Sequence, residues 1–342
     1  MRISGFTFAR NASKLYYPVK SAIQSILPLV DEFIVALGDS DADDTTEQEI
    51  ASIQSHKIKI VRTTWKLEEF PNGMEYARQT DIAKNLCTGD WLFYIQCDEV
   101  LHEKYHKVVQ AACEKYLNDS EIEGLLFDFK HFWGDYRHYV LSHARYPREI
   151  RVIRNDAEIH SWRDAQSFRR IPAFDGRNYY QKKGTQKLKV ALINAAIHHY
   201  GFVRPPEIMN AKNIRHRQNY RGQKHVTASS ENKAVVFDYG DMDNLEPYIE
   251  TQPRVMKEWI AKMNWQDQLK SGPGYKHTKH KHDKLKYKVL TFIEQHFLNG
   301  EQLFGFKNYN LVRREFFSLS DTQNNYPFTQ TTSVITNRPE TM

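Results

Sequence analysis

Residues 89–99 read Gly-Asp-Trp-Leu-Phe-Tyr-Ile-Gln-Cys-Asp-Glu, an apolar aromatic run that ends in two acids. Trp91 to Ile95 has the length and composition of a buried strand. Asp98 and Glu99 therefore come at the carboxyl end of a core strand, which is where open α/β sheets bind their ligands. Two adjacent acids there could hold a hard divalent cation, and that cation could hold a diphosphate. A strand followed by a solvated acidic turn is the alternative.

The residues before this strand alternate between strand and helix patterns. Strands are predicted at 2–8, 32–37 and 58–62, and a helix at 73–86. An apolar face at Ile23, Ile26, Leu27 and Val30 has the i, i+3, i+4, i+7 spacing of a further helix. Strands that alternate with helices call for a sheet with helical crossovers and parallel strands.

The pattern changes after the central strand. A helix at 104–117 and strands at 124–129, 149–154 and 189–199 are predicted to complete the sheet. Pro205 and Pro206 open a helix that runs to about residue 220. A polar segment at 221–233, a further helix at 253–270 and a polar tail of about 20 residues are expected beyond it.

Composition indicates an ordinary folded protein. The 342 residues are 40% hydrophobic and 26% charged, and the formal charge of +6 favours an anionic ligand without demanding nucleic acid. Three cysteines without metal spacing argue against a disulfide scaffold. The first residues look like a strand instead of a signal peptide, and no apolar run reaches the ~20 residues of a membrane span. A cytoplasmic protein is expected.

Four loops are predicted to follow strand ends, and their order carries a resemblance. The chain resembles the family 2 glycosyltransferases, inverting sugar-nucleotide enzymes of the GT-A fold, over about residues 2–215. It most resembles bacterial members that build surface polysaccharide or lipopolysaccharide. The matching pieces are Ala9-Arg10-Asn11, the loop 38–45 (Gly-Asp-Ser-Asp-Ala-Asp-Asp-Thr), Arg78, Gly89-Asp90-Trp91, and Asp98-Glu99.

The resemblance implies the fold and the domain organisation. It implies an α/β protein of the GT-A type, with a Rossmann-like mixed sheet flanked by helices. Residues 1–220 would form the catalytic domain, with a nucleotide-binding half at about 1–100 and an acceptor half at about 101–220. Residues 221–342 would form a mostly helical extension that ends in the polar tail.

The resemblance places the nucleoside of a donor at the first two loops. Phe8, Arg10 and Asn11 would lie near the base and ribose, and Asp39 would accept a hydrogen bond from a base N–H or a ribose hydroxyl. Asp39 also follows an apolar strand directly, which puts it at the same sheet edge. The alternative for Asp39 is a turn residue or a helix cap.

Three cations are candidate ligands of the donor diphosphate. Arg78 lies on the helix at 73–86, and Arg204 and Lys212 bracket the start of the helix opened by two prolines. Cations beside a helix amino terminus suit a departing nucleoside diphosphate. Ordinary surface charge is the alternative for each of them.

The metal motif departs from the family pattern at one position. Gln96 stands where the family has the first Asp of its D-x-D motif, while Asp98 occupies the position that touches the metal. The family frequently supplies a late histidine, and His199 matches it in the sequence His-Tyr-Gly-Phe-Val-Arg. Asp98 and His199 are therefore the expected ligands of Mn²⁺ or Mg²⁺. The alternative is that His198 or His199 is a buried core histidine.

An inverting transfer needs a carboxylate that deprotonates the acceptor hydroxyl. Asp164 is the best-placed candidate, with Trp162 next to it to stack on a sugar face. Glu149 and Asp128 are rivals. A structural carboxylate paired to a neighbouring arginine is the alternative for Asp164.

Residues 276–288 contain six lysines and three histidines. Such a run is typical of a solvated surface. It could also contact an anionic membrane surface or a phosphorylated glycolipid.

These patterns predict an inverting glycosyltransferase. It would move a sugar from a UDP- or GDP-sugar to a hydroxyl of a glycan or glycolipid, in the cytoplasm or peripherally at the inner face of the membrane, without binding nucleic acid. A nucleotidyltransferase-like enzyme is one alternative, although the loop 8–11 lacks the glycines such enzymes carry after the first strand. A non-catalytic glycan- or nucleic-acid-binding protein is the other.

Overall fold

The computed structural model describes residues 1–221, 236–305 and 307–317 of the chain. The strands are β1 Ile3–Ala9, β2 Glu32–Leu37, β3 Ile58–Arg62, β4 Trp91–Tyr94, β5 Glu99–Leu101, β6 Gly124–Trp133, β7 His138–Tyr139, β8 Arg148–Arg154, β9 Ile159–Trp162, β10 Ser167–Arg170, β11 Gln186–Phe202, β12 Glu246–Pro247 and β13 Tyr309–Glu315. The α-helices are α1 Val19–Ile26, α2 Thr46–Ala51, α3 Met74–Lys84, α4 His106–Lys115, α5 Pro206–Arg221, α6 Lys257–Ile260 and α7 Leu285–Phe297.

The amino-terminal half of the sheet is parallel. Its strands lie in the order β3-β2-β1-β4, and every neighbouring pair runs in the same direction. β2 and β4 are buried along their whole length, which explains why both consist almost entirely of apolar residues. The carboxyl ends of β1, β2 and β4 consequently meet at one edge of the sheet.

The second half makes the sheet mixed. β8 lies between β4 and β6 and is antiparallel to both. β6 and β13 then pair in parallel with opposite sides of the long strand β11. β5, which directly follows the acidic motif, is antiparallel to the end of β11. The mixed α/β fold that the sequence predicts is confirmed.

Helices cover both faces of this sheet. One core lies where α1 and α4 cover the strands, with Ile23 and Ile26 of α1 and Val108 of α4 buried. The other core lies near α3 and the β9–β10 hairpin, with Phe6, Tyr94 and Phe168 at its centre. The apolar stripe predicted for the first helix is therefore its buried face.

The carboxyl-terminal region differs from its prediction in two respects. The prediction of one helix at 253–270 is wrong, because the structure has three short helical segments there, at Arg254–Met256, Lys257–Ile260 and Gln266–Gln268. Residues 309–315 return to the main sheet as β13, because their backbone pairs in parallel with the free edge of β11. The polar segment predicted at 221–233 and the tail lie almost wholly outside the described residues.

Within the described ranges, none of the helices combines the length and the apolar character required to cross a bilayer.

Candidate active site

A cavity of about 270 Å³ opens at the edge where the strand ends meet. Loops after β1 and β4, the β9–β10 turn and one face of α5 form its wall. The lining residues are Phe8, Ala9, Arg10, Asn11, Ala12, Leu15, Tyr17, Trp65, Tyr76, Gln96, Cys97, Asp98, Tyr146, Asp164, Gln166, Lys212, Arg215, His216 and Asn219. Six of the ten predicted site residues are among them, which are Phe8, Arg10, Asn11, Asp98, Asp164 and Lys212.

Asn11 connects the loops that follow β1 and β2. Its amide nitrogen donates to Asp41 Oδ1 over 3.2 Å, and its amide oxygen accepts from the Asp41 backbone N–H over 2.7 Å. The backbone of Asn11 is left-handed, with φ of 52°, a conformation that asparagine tolerates better than most residues. This reciprocal pair fixes the first loop against the second at the cavity mouth.

Aromatic rings form one wall of the cavity. Phe8 stacks on Tyr76 with 5.8 Å between ring centroids, and Trp65 meets Tyr76 edge-on at 5.3 Å. The Arg10 guanidinium lies over the Trp65 ring, 5.0 Å from its centroid. Flat apolar faces beside a cation suit a nucleobase, which stacks on aromatic side chains.

Asp98 and His199 lie side by side, as their prediction as joint ligands requires. Asp98 Oδ2 is 3.6 Å from His199 Nε2, and both residues are buried to 8% exposure. Gly201 leaves space beside them, because a Cβ there would lie 2.7 Å from both of these atoms. His198 is the core histidine of the pair, since it is fully buried and its Nε2 lies 2.8 Å from the Tyr248 hydroxyl.

His131 determines which nitrogen of His199 carries a proton. His131 Nε2 donates to the Tyr146 carbonyl over 2.8 Å, and burial holds the pKa of His131 well below its usual value. Neutral His131 therefore has an unprotonated Nδ1, which accepts from His199 Nδ1 over 3.0 Å. In neutral His199 the lone pair is then on Nε2, the atom that faces the Asp98 carboxylate. Two kinds of cation suit this position beside the carboxylate: a second proton on Nε2, which gives His199 a positive charge, or a metal ion bound by both atoms.

The charge around Asp98 keeps it ionised. Burial opposes ionisation, but the positive charge and hydrogen bond of His199, with the charges of Lys212 and Arg204, outweigh it. Together they hold the pKa of Asp98 well below its usual range. Asp98 is thus an acceptor-only carboxylate at neutral pH.

Glu99 is not available as a second acidic ligand. Its carboxylate is fully buried and accepts two hydrogen bonds from Arg151, at 2.7 Å from Nε and 2.6 Å from Nη2. Arg151 also donates to the carbonyls of Ile150 and Gln166. The idea that Asp98 and Glu99 share a cation is therefore wrong, because the buried arginine takes the second carboxylate.

The side chains present could provide only some of the ligands that a divalent cation requires. Among the described residues, no group of three or more His, Cys, Asp or Glu side chains converges on one point. Asp98 and His199 could supply one oxygen and one nitrogen ligand. Mg²⁺ commonly binds one or two carboxylates and takes its other ligands from phosphates and water, so the pair fits a metal that arrives with a diphosphate.

The side-chain amide of Gln96 donates two hydrogen bonds that a carboxylate could not donate. Its Nε2 donates to the Ala165 carbonyl over 3.0 Å and to the Tyr94 hydroxyl over 3.2 Å. A carboxylate at this position would have no N–H to donate. Gln96 thus joins the central strand to the turn that carries Asp164.

Asp164 is held in a constrained turn between β9 and β10. Both its neighbours are left-handed, Arg163 with φ of 62° and Ala165 with φ of 64°. Non-glycine residues in this region cost ~1–3 kcal/mol each, and they cluster where a site must be positioned. Tyr220 of α5 donates its hydroxyl hydrogen to Asp164 Oδ2.

The rivals of Asp164 lie elsewhere. Asp128 is paired with Arg148 at 2.8 Å and does not line the cavity. Glu149 is buried behind the cavity and accepts from Gln166 Nε2 over 2.7 Å. Trp162 is buried to 1% exposure, so the expectation that it stacks on a sugar is wrong. The guanidinium groups of Arg163 and Arg169 lie over its ring, 4.5 and 4.0 Å from the centroid.

Helix α5 contributes a polar face to the cavity, and only Lys212 of this face was among the predicted site residues. Lys212, Arg215, His216 and Asn219 have i, i+3, i+4, i+7 spacing and all line the cavity. That spacing was a signal in the sequence, since a helix face this polar needs solvent or a ligand. Burial and the charge of Arg204 lower the pKa of Lys212 to about 7, against the opposite effect of Asp98.

Three predicted nucleotide ligands do not line this cavity. Asp39 lines a neighbouring cavity and accepts from the Trp65 backbone N–H over 3.0 Å. Arg78 is paired with Glu75 at 2.7 Å. Arg204 is fully buried, and it donates to the Leu15 and Gly201 carbonyls. Their assignment to the nucleotide stays a prediction that these contacts do not support.

Comparison with known proteins gives matches to solved structures alone. No family model and no curated protein matches the chain. TarS 1–349 from S. aureus matches with 17% identity and a TM-score of 0.27, covering 39% of this chain and 36% of that chain. Its complex with UDP-GlcNAc matches with 18% identity and a TM-score of 0.28, covering 40% and 36%.

A second solved protein matches over a similar share of the chain. Glucosyl-3-phosphoglycerate synthase from Mycobacterium tuberculosis, in complex with Mn²⁺, UDP and phosphoglyceric acid, has 24% identity and a TM-score of 0.25, covering 39% and 43%. TarS and this synthase are glycosyltransferases of the GT-A fold. This chain spans less than half the length of each, and TM-scores this low assign it no activity or substrate.

Proposed function

We propose that the protein is an inverting glycosyltransferase that uses a nucleotide-sugar donor and a hydroxyl acceptor on a glycan or glycolipid. The observation that carries this proposal is the convergence of Asp98, Asp164 and Lys212 with the Phe8–Asn11 loop on one cavity. These residues are far apart in sequence. A carboxylate pair, a cation and stacking rings in one concave site suit a nucleoside diphosphate bound beside a reacting hydroxyl.

The donor is assigned to the amino-terminal half, about residues 1–100, together with α5. The rings of Phe8, Trp65 and Tyr76 provide stacking surfaces for the base. Lys212 and Arg215 provide positive charge for the diphosphate. UDP and GDP are both candidates, because aromatic stacking does not distinguish between bases.

A divalent cation is assigned to Asp98 and His199. When bound, Mn²⁺ or Mg²⁺ would stabilise the negative charge that develops on the leaving diphosphate. Asp98 contributes an ionised carboxylate, and His131 orients the His199 Nε2 lone pair for ligation. A hydrogen bond from the ring nitrogen that does not bind the metal is the usual support of metal-binding histidines.

Asp164 is assigned the proton transfer. Its Oδ2 is held by Tyr220, and Oδ1 is assigned to the acceptor hydroxyl, whose proton it accepts as the oxygen attacks the anomeric carbon. Attack on the face opposite the leaving diphosphate inverts the configuration at that carbon. The acceptor is assigned to the half of the catalytic domain at about residues 101–220, which contains Asp164 and Tyr146.

Thermal unfolding in the presence of nucleotides tests this proposal. UDP or GDP should raise the Tm of the wild-type chain by a few degrees when Mn²⁺ is present and by less without it, because a ligand of the folded state stabilises it. Asp98→Asn should abolish the difference between the two conditions. A chain whose Tm responds to no nucleotide, with or without Mn²⁺ and Mg²⁺, would overturn the proposal.

A further inference from the structure

Helix α7 presents apolar side chains to solvent. Leu285, Val289 and Phe292 are 77%, 50% and 56% exposed. Their i, i+4, i+7 spacing places them on a single face of the helix. Phe297, at the end of the helix, is 72% exposed. This outward stripe is Leu285, Val289 and Phe292, and it has no covering partner among the described residues.

The opposite face of α7 binds the protein through polar groups. Glu294 is buried to 2% exposure and accepts from His143 Nδ1 over 2.6 Å and from the Leu303 backbone N–H over 2.8 Å. Thr291 Oγ1 accepts from the His143 backbone N–H over 2.8 Å. A surface helix ordinarily turns its apolar stripe inward. In α7 the buried Glu294 carboxylate instead holds the polar face inward and leaves the apolar stripe exposed.

Lysines border the outward stripe. At 3.6 residues per turn, Lys286 and Lys288 lie on opposite sides of it. Four more lysines precede them in the same segment, Lys276, Lys279, Lys281 and Lys284. The acids of residues 276–297 are Asp283 and Glu294. Asp283 accepts a hydrogen bond from the His280 backbone N–H, and Glu294 is buried. Both carboxylates therefore make their contacts within the protein.

We propose that α7 docks in the plane of an anionic lipid bilayer, with its outward stripe at the headgroup boundary and its lysines on anionic headgroups. An apolar stripe bordered by lysines is the pattern of helices that lie in a membrane interface. Each lysine near an anionic surface adds to the attraction. A second copy of the chain fits less well, because a two-fold contact through this face would bring the two lysine sets together.

Docking through α7 would also orient the candidate active site. His143, which anchors Glu294, and Tyr146, which lines the cavity, belong to the same segment before β8. The cavity wall on the acceptor side is therefore tied to the membrane-facing helix. This consequence rests on the proposed function and assigns a membrane-borne glycolipid as the acceptor, whereas the docking itself does not depend on it.

Vesicle co-sedimentation of the full chain tests the docking. Wild type should sediment with vesicles of equal phosphatidylcholine and phosphatidylglycerol, and only weakly with phosphatidylcholine alone. The bound fraction should fall as NaCl is raised, because salt screens the lysines. The variant carrying Leu285→Ser, Val289→Ser and Phe292→Ser should bind at least about tenfold more weakly. Phe316→Ser, which removes an 84% exposed phenylalanine outside α7, should bind like wild type.

Two further variants separate the contributions of charge and apolar contact. Lys286→Glu with Lys288→Glu should lose the preference for phosphatidylglycerol. Phe292→Trp should show a blue shift of tryptophan emission with anionic vesicles. The proposal would be overturned if wild type sedimented with neither kind of vesicle. It would also be overturned if light scattering showed a dimer that the triple serine substitution dissociates. Nucleotide binding by soluble protein is unaffected by either result, so the two proposals can fail separately.

Discussion

The side-chain amide of Gln96 donates a hydrogen bond to the backbone carbonyl of Ala165, 3.0 Å away, across 69 residues of sequence. This bond ties the end of β4 to the turn that presents Asp164. Because Ala165 is left-handed, the turn depends on such ties to hold its conformation.

Gln96→Glu should therefore destabilise the protein, although the side chain keeps almost the same size. The variant loses a donor and leaves the Ala165 carbonyl without its partner, which costs ~1–3 kcal/mol. Urea unfolding measures the loss, and transfer should fall with it. Gln268→Glu, an exposed change, is the control and should stay within ~0.5 kcal/mol. A Gln96→Glu protein as stable as wild type would show that the amide is dispensable.

The neighbours Asp98 and Glu99 should respond to neutralisation in different ways. Asp98→Asn should lose metal-dependent nucleotide binding while the fold remains, because Asp98 faces the cavity. Glu99→Gln should cost ~3–5 kcal/mol of unfolding free energy, because it leaves Arg151 buried without its counter-charge. Mn²⁺ titration and urea unfolding of both variants check this. If Glu99→Gln were the one to lose Mn²⁺ without losing stability, the ligand assignment would be reversed.

Asp164→Asn should slow transfer by ~10²- to 10⁴-fold, the range of general-base contributions. Donor nucleotide and Mn²⁺ should bind as in wild type, because the side chain keeps its size and its hydrogen bond with Tyr220. Asp128→Asn is the matched control, since Asp128 pairs with Arg148 away from the cavity. Single-turnover kinetics distinguishes the two. Near-normal transfer by Asp164→Asn would exclude it as the base.

Lys212 should make nucleotide binding depend on pH. Its pKa of about 7 in the free protein means that it loses its charge as pH rises through 7. A bound diphosphate favours the charged form, so binding above pH 7 should take up a proton, and affinity should fall by up to about tenfold per pH unit. Calorimetry in buffers of different ionisation enthalpy measures the uptake. Lys212→Met should show none, and uptake that persists in this variant would point to another group.

His131 should control metal affinity through His199. His131→Leu removes the acceptor that keeps the proton on His199 Nδ1, and Mn²⁺ should bind ~10- to 100-fold more weakly. His131→Asn retains a side-chain acceptor and should recover most of that affinity. Electron paramagnetic resonance of free Mn²⁺ gives both values. Equal loss in the two variants would indicate a packing role instead of a tautomer role.

Much of the amino-terminal half could be predicted because its signals are local. Apolar runs of strand length and a helical stripe at Ile23 and Ile26 identify β1 to β4 and α1 without knowledge of the fold. Alternation of these elements then makes the strands parallel, and parallel strands deliver their following loops to one edge. The proximity of Phe8, Asn11 and Asp98 follows from that rule alone.

The carboxyl-terminal region was less predictable because its elements depend on distant partners. Residues 253–270 have helical composition, yet they form short segments that pack Trp259 and Trp265 against Tyr16 near the amino terminus. Such packing overrides a weak local preference. β13 likewise becomes a strand because β11 offers it an unpaired edge.

By itself the sequence determined the alternation of strands and helices up to β4, the position of the acidic motif at a strand end, and the set of candidate residues around it. Only the tertiary structure decided that Asp98 faces the cavity while Glu99 is buried against Arg151, and that α7 turns Glu294 inward and Phe292 outward. The physical reason is that a strong local pattern decides the type of an element, as in β1 to β4, without the help of distant residues. The partner of a buried charge depends on which distant side chain the completed fold brings to it.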